Sequence, residues 1–594
     1  MGLNASEQAL PVGAQSLFQD EPLNSLKVNV QPYAAEASSV KIVTVDDASF
    51  SSAWQVRSGE DVRNVEDVEL EGFSDIAVEE GGTALIHFWA RCTQTIDESG
   101  MGRVFVHVRK NGVDFNSSIL ATVSAGQQWQ EFFLPFKFIG SYPENGAVLR
   151  LRFGFPGQTV ELGGLEVTYY GKTKELSELP RTLFTYAGRE ADAEWRKEAL
   201  ERIEKIRKRD LQIRVVDASG KPVDAASLSL KQKRSAFQFG TAIPLIRLTA
   251  EGRDNEIFRE KVLELFEAAS PENDLKWPVW LGEWNDLAPY SHQKAIAGLE
   301  WLKERGFHLR GHVLVWPGWK NLPQITHELR DAGRAEEILP IIDEHIREMG
   351  EVTRDLLPEW DVLNEPYTNH DLMDLFGPQI MVRWFKVARE AFPDAALYFN
   401  DFSNHDQVLD AAHVAHFEET FRYLLDNGAP VDGLGLQAHI SGQPNDPERV
   451  LATLDRYSKA SGGLPIRFTE FDIRTEDEEL QADYTRDFFI LAFSHPDVVG
   501  IQLWGFWEGA HWIPLGAMYR KDWSEKPNAA VYKDLVLKQW RTNLCAETGA
   551  HGEYTTRAFL GDYELNVEHD GRVVTKTFTL PSGDSPQQVL ITLE

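Results

Sequence analysis

The sequence predicts a (β/α)8 TIM barrel, preceded by an all-β jelly-roll sandwich and followed by a small C-terminal β appendage. Three observations carry this. Between residues 235 and 545, apolar strand-like runs alternate with helical patterns about 12–18 residues long. Between 31 and 171, short strands follow one another with turn signals and no strong helix. Two strands of the barrel region, Trp360-Asp-Val-Leu-Asn-Glu365 and Ile466-Arg-Phe-Thr-Glu470-Phe-Asp472, end on or near a glutamate. A buried strand has no use for a charge unless that charge is paired or working.

Taken in order, residues 1–30 are polar and patternless and read as a flexible lead-in. The module over 31–171 contains Ala84-Leu-Ile-His-Phe-Trp-Ala90, Arg103-Val-Phe-Val-His-Val-Arg109 and Val148-Leu-Arg-Leu-Arg-Phe-Gly-Phe155. The last alternates Leu149, Leu151, Phe153 and Phe155 against Arg150, Arg152 and Gly154, the period of a half-buried strand. Residues 172–234 read as a linker with a charged helix at 189–208, then a hairpin-like pair, 211–217 and 226–232, about the turn Ala218-Ser-Gly-Lys-Pro222. The barrel candidates are 236–242, 266–271, 308–316, 359–365, 396–401, 433–439, 465–472 and 498–506. Clear helices lie between them: Gln293 to Glu304, stopped by Gly306, and Val414 to Leu425, stopped by Gly428. A doubly wound open sheet is the rival, but no GxGxxG or P-loop follows any strand. After 545 the chain returns to short strands, the 546–594 appendage.

The composition narrows the function. The chain of 594 residues carries 92 acidic and 60 basic side chains, a formal charge of −32. That disfavours nucleic acid and anionic membrane, both of which need a basic face. Two cysteines, Cys92 and Cys545, fall in different segments, so no disulfide framework is expected. No His/Cys cluster suggests a metal, and no run of about 18 apolar residues suggests a membrane span.

In a (β/α)8 barrel, active sites sit at the C-terminal strand ends. Glu365 at the end of strand 4 and Glu470 near the end of strand 7 then face one another across the mouth. Two carboxylates so placed suit an acid/base and a nucleophile that cleave glycosidic bonds.

Several ordered motifs extend this reading. Phe237-Gln-Phe-Gly240, Pro271-Glu-Asn-Asp-Leu-Lys-Trp277, Arg310-Gly-His-Val-Leu-Val-Trp316, Asn400-Asp401 and Gln437-Ala-His439 each lie at a strand, with Trp504 and Trp512 after strand 8. In this order they resemble glycoside hydrolase family 10, the retaining endo-β-1,4-xylanases, over about residues 230–540. The resemblance implies Glu365 as acid/base and Glu470 as nucleophile. His439 would give Glu470 a hydrogen bond and bridge to Asp361, and Asn364 would bind the sugar 2-hydroxyl. Glu272, Asn273, Lys276 and His312 would bind hydroxyls of the glycone sugars, Gln437 would contact substrate, and Trp316, Trp504 and Trp512 would form aromatic walls. The implied substrates are xylan and xylo-oligosaccharides, with no cofactor, and the sequence sets no oligomeric state.

The chain departs from the family after strand 3. Where Trp-His-x-Gln is usual it has Trp316-Pro-Gly-Trp319, so a polar contact is replaced by Trp319, a candidate aromatic platform. Trp504-Gly-Phe-Trp-Glu508 also departs from Trp-Gly-Val-x-Asp. Of 17 tryptophans, those following strands, Trp277, Trp280, Trp284, Trp316, Trp319, Trp504, Trp507, Trp512 and Trp523, are expected at the mouth, where sugar faces stack on aromatics. The N-terminal sandwich is similar to xylan-binding modules, with Trp129 expected in its core and Arg150 and Arg152 as outward candidates. A β-1,4-glucanase or mixed-linkage hydrolase, and a non-catalytic glycan-binding protein, are the alternatives. Action on a polymer implies export, although residues 1–14 show no basic n-region or apolar h-region; the expectation is that a leader has been removed.

Overall fold

A computed structural model describes residues 15–18, 26–96, 101–112, 117–284, 291–402, 411–440, 442 and 444–593. The chain forms two compact units, one mainly of residues 1–185 and one mainly of residues 186–594.

The first unit is a β-sandwich of two antiparallel sheets. One runs Ser39–Thr44, Ser52–Ser58, Gln158–Gly171, Thr83–Gln94, Gln130–Lys137. The other runs Lys27–Val30, Val68–Phe73, Ala147–Arg152, Gly102–Lys110, Ser117–Ala125. The alternation read at 148–155 holds: Leu149, Leu151 and Phe153 enter the core. Arg150 and Arg152 lie on the face away from that core but are half-buried, each paired to a buried neighbouring-strand glutamate, Arg150 to Glu71 at 2.8 Å and Arg152 to Glu69 at 2.7 Å.

Part of the expected lead-in belongs to this sandwich. Gln15–Ser16 pair with Thr168–Tyr169, Lys27–Val30 pair with Val68–Glu71, and Leu17 and Phe18 are buried. Two apolar side chains in a polar stretch are too few to give a period, so the sequence hid them. The rest of the lead-in lies outside the described residues. Trp129 is also not in the core. Its ring lies under the Arg91 guanidinium at 4.5 Å, Phe50 meets it edge-on, and its Nε1 donates to Asp47 at 3.1 Å.

The second unit contains the barrel. Its strands are β1 (Gln238–Ile243), β2 (Ala268–Pro271), β3 (His308–Gly311), β4 (Glu359–Asn364), β5 (Ala396–Asp401), β6 (Gly433–Leu436), β7 (Ile466–Ile473) and β8 (Val498–Leu503). They pair in parallel in chain order, with β1 against β8 closing the ring. The third is shorter than its apolar run predicts. Its ladder stops at Gly311, and beyond it Val315 bridges to Leu363. Helices fill the connections, and side-chain caps fix several starts: Ser291 before His292–Glu304, Asp446 before Pro447–Ser461, Asp477 before Glu478–Ser494.

The C-terminal β appendage is completed by strands the sequence places in the linker. Lys208–Asp217 and Ser227–Ser235 do not pair with each other as a hairpin. The first pairs with Glu553–Phe559 and Gln587–Leu593, the second with Asn543–Glu547 and Gly561–His569. Leu211, Ile213, Leu228, Leu230, Leu565, Val567 and Ile591 form their shared core. The charged helix is Glu194–Ile206, and it packs on the barrel through Arg196, which meets Asp487 at 2.8 Å.

Candidate active site

The site is built at the C-terminal ends of β2 to β8, where short turns follow buried strands. Glu365 is the first residue past β4, with a left-handed φ of 52°. Only glycine adopts that region without cost, so the surroundings hold it there. Its N–H donates to Asn400 O at 3.0 Å, at the tip of β5. Glu470 lies within β7, its N–H bonded to Gln437 O at 3.0 Å.

A chain of amides joins the two carboxylates. Gln437 Nε2 donates to Glu365 Oε1 at 2.9 Å and to Asn364 Oδ1 at 3.3 Å. Asn400 Nδ2 donates to the same Asn364 oxygen at 2.9 Å and to Glu470 Oε1 at 3.0 Å. Thr469 Oγ1 donates to Asn400 Oδ1 at 2.8 Å, which fixes the direction of the Asn400 amide.

The two carboxylates are held differently. Burial pushes the Glu365 pKa up; the Gln437 hydrogen bond opposes this and the charge of Glu470 adds to it. Trp316 Nε1 donates to its Oε2 at 3.1 Å, and Asn369 Nδ2 to the same oxygen at 3.2 Å. Glu470 instead faces a cation. His439 Nε2 lies 3.2 Å from Glu470 Oε2, and His439 Nδ1 lies 3.0 Å from Asp472 Oδ2. Burial disfavours the imidazolium, but Asp472 and Glu470 together raise its pKa to about 10. The pairing is local in origin: His439–Ile440 form a short strand whose register sets His439 beside Asp472.

The bridge expected from His439 to Asp361 is therefore replaced, with Asp472 as the partner. Asp361 lies deeper along β4 than Asn364 at the strand tip. There it accepts from Arg310 Nη2 at 2.6 Å and His312 Nδ1 at 3.0 Å. Burial would raise the Asp361 pKa, but Arg310 and His312 hold it below the usual range.

The remaining predicted residues divide. His312 Nδ1 also lies 4.0 Å from Glu470 Oε1, and its ring meets Trp504 edge-on. Glu272, Asn273 and Lys276 follow β2. Lys276 Nζ donates to Asn273 Oδ1 at 2.8 Å and stands over the Trp316 ring. Burial lifts Glu272 to about 7 against the pull of Lys276, and burial lowers Lys276. Trp512 is 49% exposed, donates from Nε1 to Asp472 at 2.8 Å and packs on His439. Trp319 is covered rather than open: Arg330 stands over its ring at 4.4 Å and His327 packs against it. Three tryptophans expected at the mouth are packing residues instead: Trp277, Trp280 and Trp507 are buried, stacked on His345, His292 and Trp523.

Sequence reasoning gave no role in the site to Asn400, Asp472, Asn369 and Arg310. Asn400 had a signal, since an Asn-acid pair, Asn400-Asp401, stands at the end of β5 as Asn364-Glu365 stands across the end of β4. Among the described residues, no group of three or more His, Cys, Asp or Glu is arranged to hold a metal ion.

The family model "Glycosyl hydrolase family 10" matches residues 227–534, just over half of the chain. An anti-sigma-I factor, RsgI6, of Acetivibrio thermocellus is 29% identical over 401 residues, 66% of this chain and 49% of that protein. Endo-1,4-beta-xylanase 1 of Arabidopsis thaliana is 28% identical over 393 residues, 66% of this chain and 40% of that protein. Endo-1,4-beta-xylanase A of Caldicellulosiruptor saccharolyticus is 28% identical over 359 residues, 53% of this chain and 97% of that protein. The chain thus spans half or less of the length of the first two.

Proposed function

The chain belongs to glycosyl hydrolase family 10, and from that premise we propose that it is an endo-1,4-β-xylanase acting by retaining double displacement. Glu365 protonates the leaving oxygen, and Glu470 attacks the anomeric carbon. The observation that carries this is the amide chain Gln437–Asn364–Asn400, which ties together two carboxylates held in different ways. Glu365 is pushed toward its protonated form, as a general acid needs. Glu470 accepts from Asn400 and from a protonated His439, contacts that suit an ionised nucleophile. Once Glu470 is glycosylated, its charge no longer raises Glu365, which then serves as base toward water. Glu272, Asn273, Lys276 and the exposed Trp512 bind the glycone sugars.

One relative bears the name of an anti-sigma factor rather than of an enzyme. The paired carboxylates and the two relatives named as xylanases favour hydrolysis. Chromatography of products from glucuronoxylan, arabinoxylan and carboxymethyl-cellulose, with proton NMR of the first anomer, tests the reading. Short xylo-oligosaccharides appearing as β-anomers support it. Release from the glucan alone indicates a glucanase, and no release from any of the three overturns hydrolysis.

The basic limb of kcat/KM on xylo-oligosaccharides is expected above the usual glutamic-acid pKa of about 4.3, because burial and Glu470 raise Glu365. Glu365→Gln removes that limb. A limb unchanged in Glu365→Gln assigns the acid elsewhere.

The N-terminal sandwich is proposed as an accessory xylan-binding module, with the sheet face away from its core, where half-buried Arg150 and Arg152 pair with Glu71 and Glu69, as its candidate site. In the full chain, Arg150→Ala with Arg152→Ala is expected to weaken retention on insoluble xylan severalfold while soluble oligosaccharide turnover stays. Equal retention removes this face from consideration. Because polymeric xylan does not enter cells, the protein is proposed to act outside the cytoplasm, which fractionation of a producing culture tests.

A further inference from the structure

The loop after β3, where the chain departs from its family, is joined to the loop after β4. Leu372 N–H donates to Pro317 O at 3.2 Å, and Trp319 N–H donates to Asp371 Oδ2 at 2.8 Å. Between them two buried asparagines meet, Asn321 Nδ2 donating to Asn369 Oδ1 at 2.8 Å. Gly318 leaves room for this contact, since a Cβ there would come within 2.5 Å of Asn369 Oδ1.

The orientation of the Asn369 amide follows from its partners. Its Nδ2 faces Glu365 O at 3.2 Å, Glu365 Oε2 at 3.2 Å and Thr368 Oγ1 at 3.0 Å. A backbone carbonyl cannot donate, so the NH2 group must point at Glu365 and the amide oxygen at Asn321. The Glu365 carbonyl thus sets the amide's direction, and Asn321 holds the amide oxygen on the side away from Glu365.

We propose that Asn369, locked by Asn321, is a positioning residue for Glu365, clamping the acid/base carboxyl to the loop that replaces the usual family motif. This rests on the reading of Glu365 as the acid/base. Asn369 donates to one carboxyl oxygen together with Trp316, while Gln437 donates to the other. The clamp therefore fixes the plane of the carboxyl and favours its ionised form, the form needed when Glu365 acts as base. The charged and titratable groups that also face Glu365 are Glu470, Asp401, His312 and Lys276.

The test compares wild type with Asn369→Leu and Asn321→Leu, which keep much of the side-chain volume and remove the amide. Two substrates are used, xylohexaose and an activated dinitrophenyl β-xylobioside, whose leaving group needs little protonation. Asn369→Leu is expected to lower kcat/KM on xylohexaose roughly tenfold and on the activated glycoside far less. Its basic limb is expected to move up by about half to one pH unit. Asn321→Leu, which acts on Glu365 only through Asn369, is expected to shift both in the same direction by less. Equal losses on both substrates, or unmoved limbs in both variants, overturn the proposal. A wild type inert on both substrates overturns the assignment of Glu365 itself, a distinguishable outcome.

Discussion

Glu470→Gln is expected to lower kcat on glucuronoxylan by on the order of 10^4-fold or more, with the fold retained. The substitution keeps the shape of the side chain and removes the charged carboxylate that attacks the anomeric carbon. It also disturbs two contacts. Asn400 Nδ2 and His439 Nε2 both point at carboxylate oxygens. An amide offers one acceptor where the carboxylate offered two, so one donor is left facing an NH2 group. The stability cost is about 1–3 kcal/mol, well below the cost to catalysis of about 5.5 kcal/mol or more. His439 also loses one of the two anions that raise its pKa to about 10, so its titration is expected to move down. Circular dichroism and the unfolding midpoint separate the two costs. Turnover by a folded Glu470→Gln within tenfold of wild type would remove Glu470 as nucleophile.

The parts of the molecule legible in the sequence are those whose signal is local. Each barrel strand is a short apolar run bounded by helical periods, so all eight stand out, although the ladder of β3 ends at Gly311 before its apolar run does. Glu365 and Glu470 stand out because a carboxylate ending a buried strand conflicts with burial. What stayed hidden depends on distant partners. Nothing local in Lys208–Asp217 announces that it pairs with Gln587–Leu593. Asn369 lies in a loop, where asparagine is ordinary, and only the direction of its amide gives it a role. The choice of Asp472 over Asp361 as partner of His439 depends on the register of a two-residue strand, which side-chain identity alone does not encode.

Arg310→Met is expected to destabilise the second unit by about 3–5 kcal/mol, a large fraction of the roughly 5–15 kcal/mol that holds a folded domain. Arg310 is fully buried inside the barrel. Its Nε donates to Glu359 Oε2 at 2.9 Å and its Nη2 to Asp361 Oδ1 at 2.6 Å. Arg467 and His308 reach the other oxygen of Glu359, each at 2.7 Å. Methionine fills much of the space but leaves Asp361 with His312 alone and Glu359 short of one cation. The loss of one partner costs more than the network contributes, because the desolvated carboxylates remain. Adding Glu359→Gln and Asp361→Asn to Arg310→Met is then expected to recover part of the loss. The pH dependence follows from the same groups. Burial would raise the pKa of both carboxyls, but the cations hold Glu359 and Asp361 below their usual values. Their stabilisation is therefore present above about pH 4, the unfolded carboxylate range, and is lost as pH falls through the depressed folded values. The Arg310→Met protein is expected to lose less stability than wild type between pH 5 and 3, roughly. The network also reaches the site, since Asp361 holds His312 and His312 lies 4.0 Å from Glu470. A fall in kcat is thus expected to accompany the loss of stability. Urea unfolding followed by tryptophan fluorescence measures the first and xylan turnover the second. A midpoint displaced by less than about 1 kcal/mol would mean that the barrel interior tolerates the unpaired carboxylates by protonating them, and the acid-side dependence would then be absent as well.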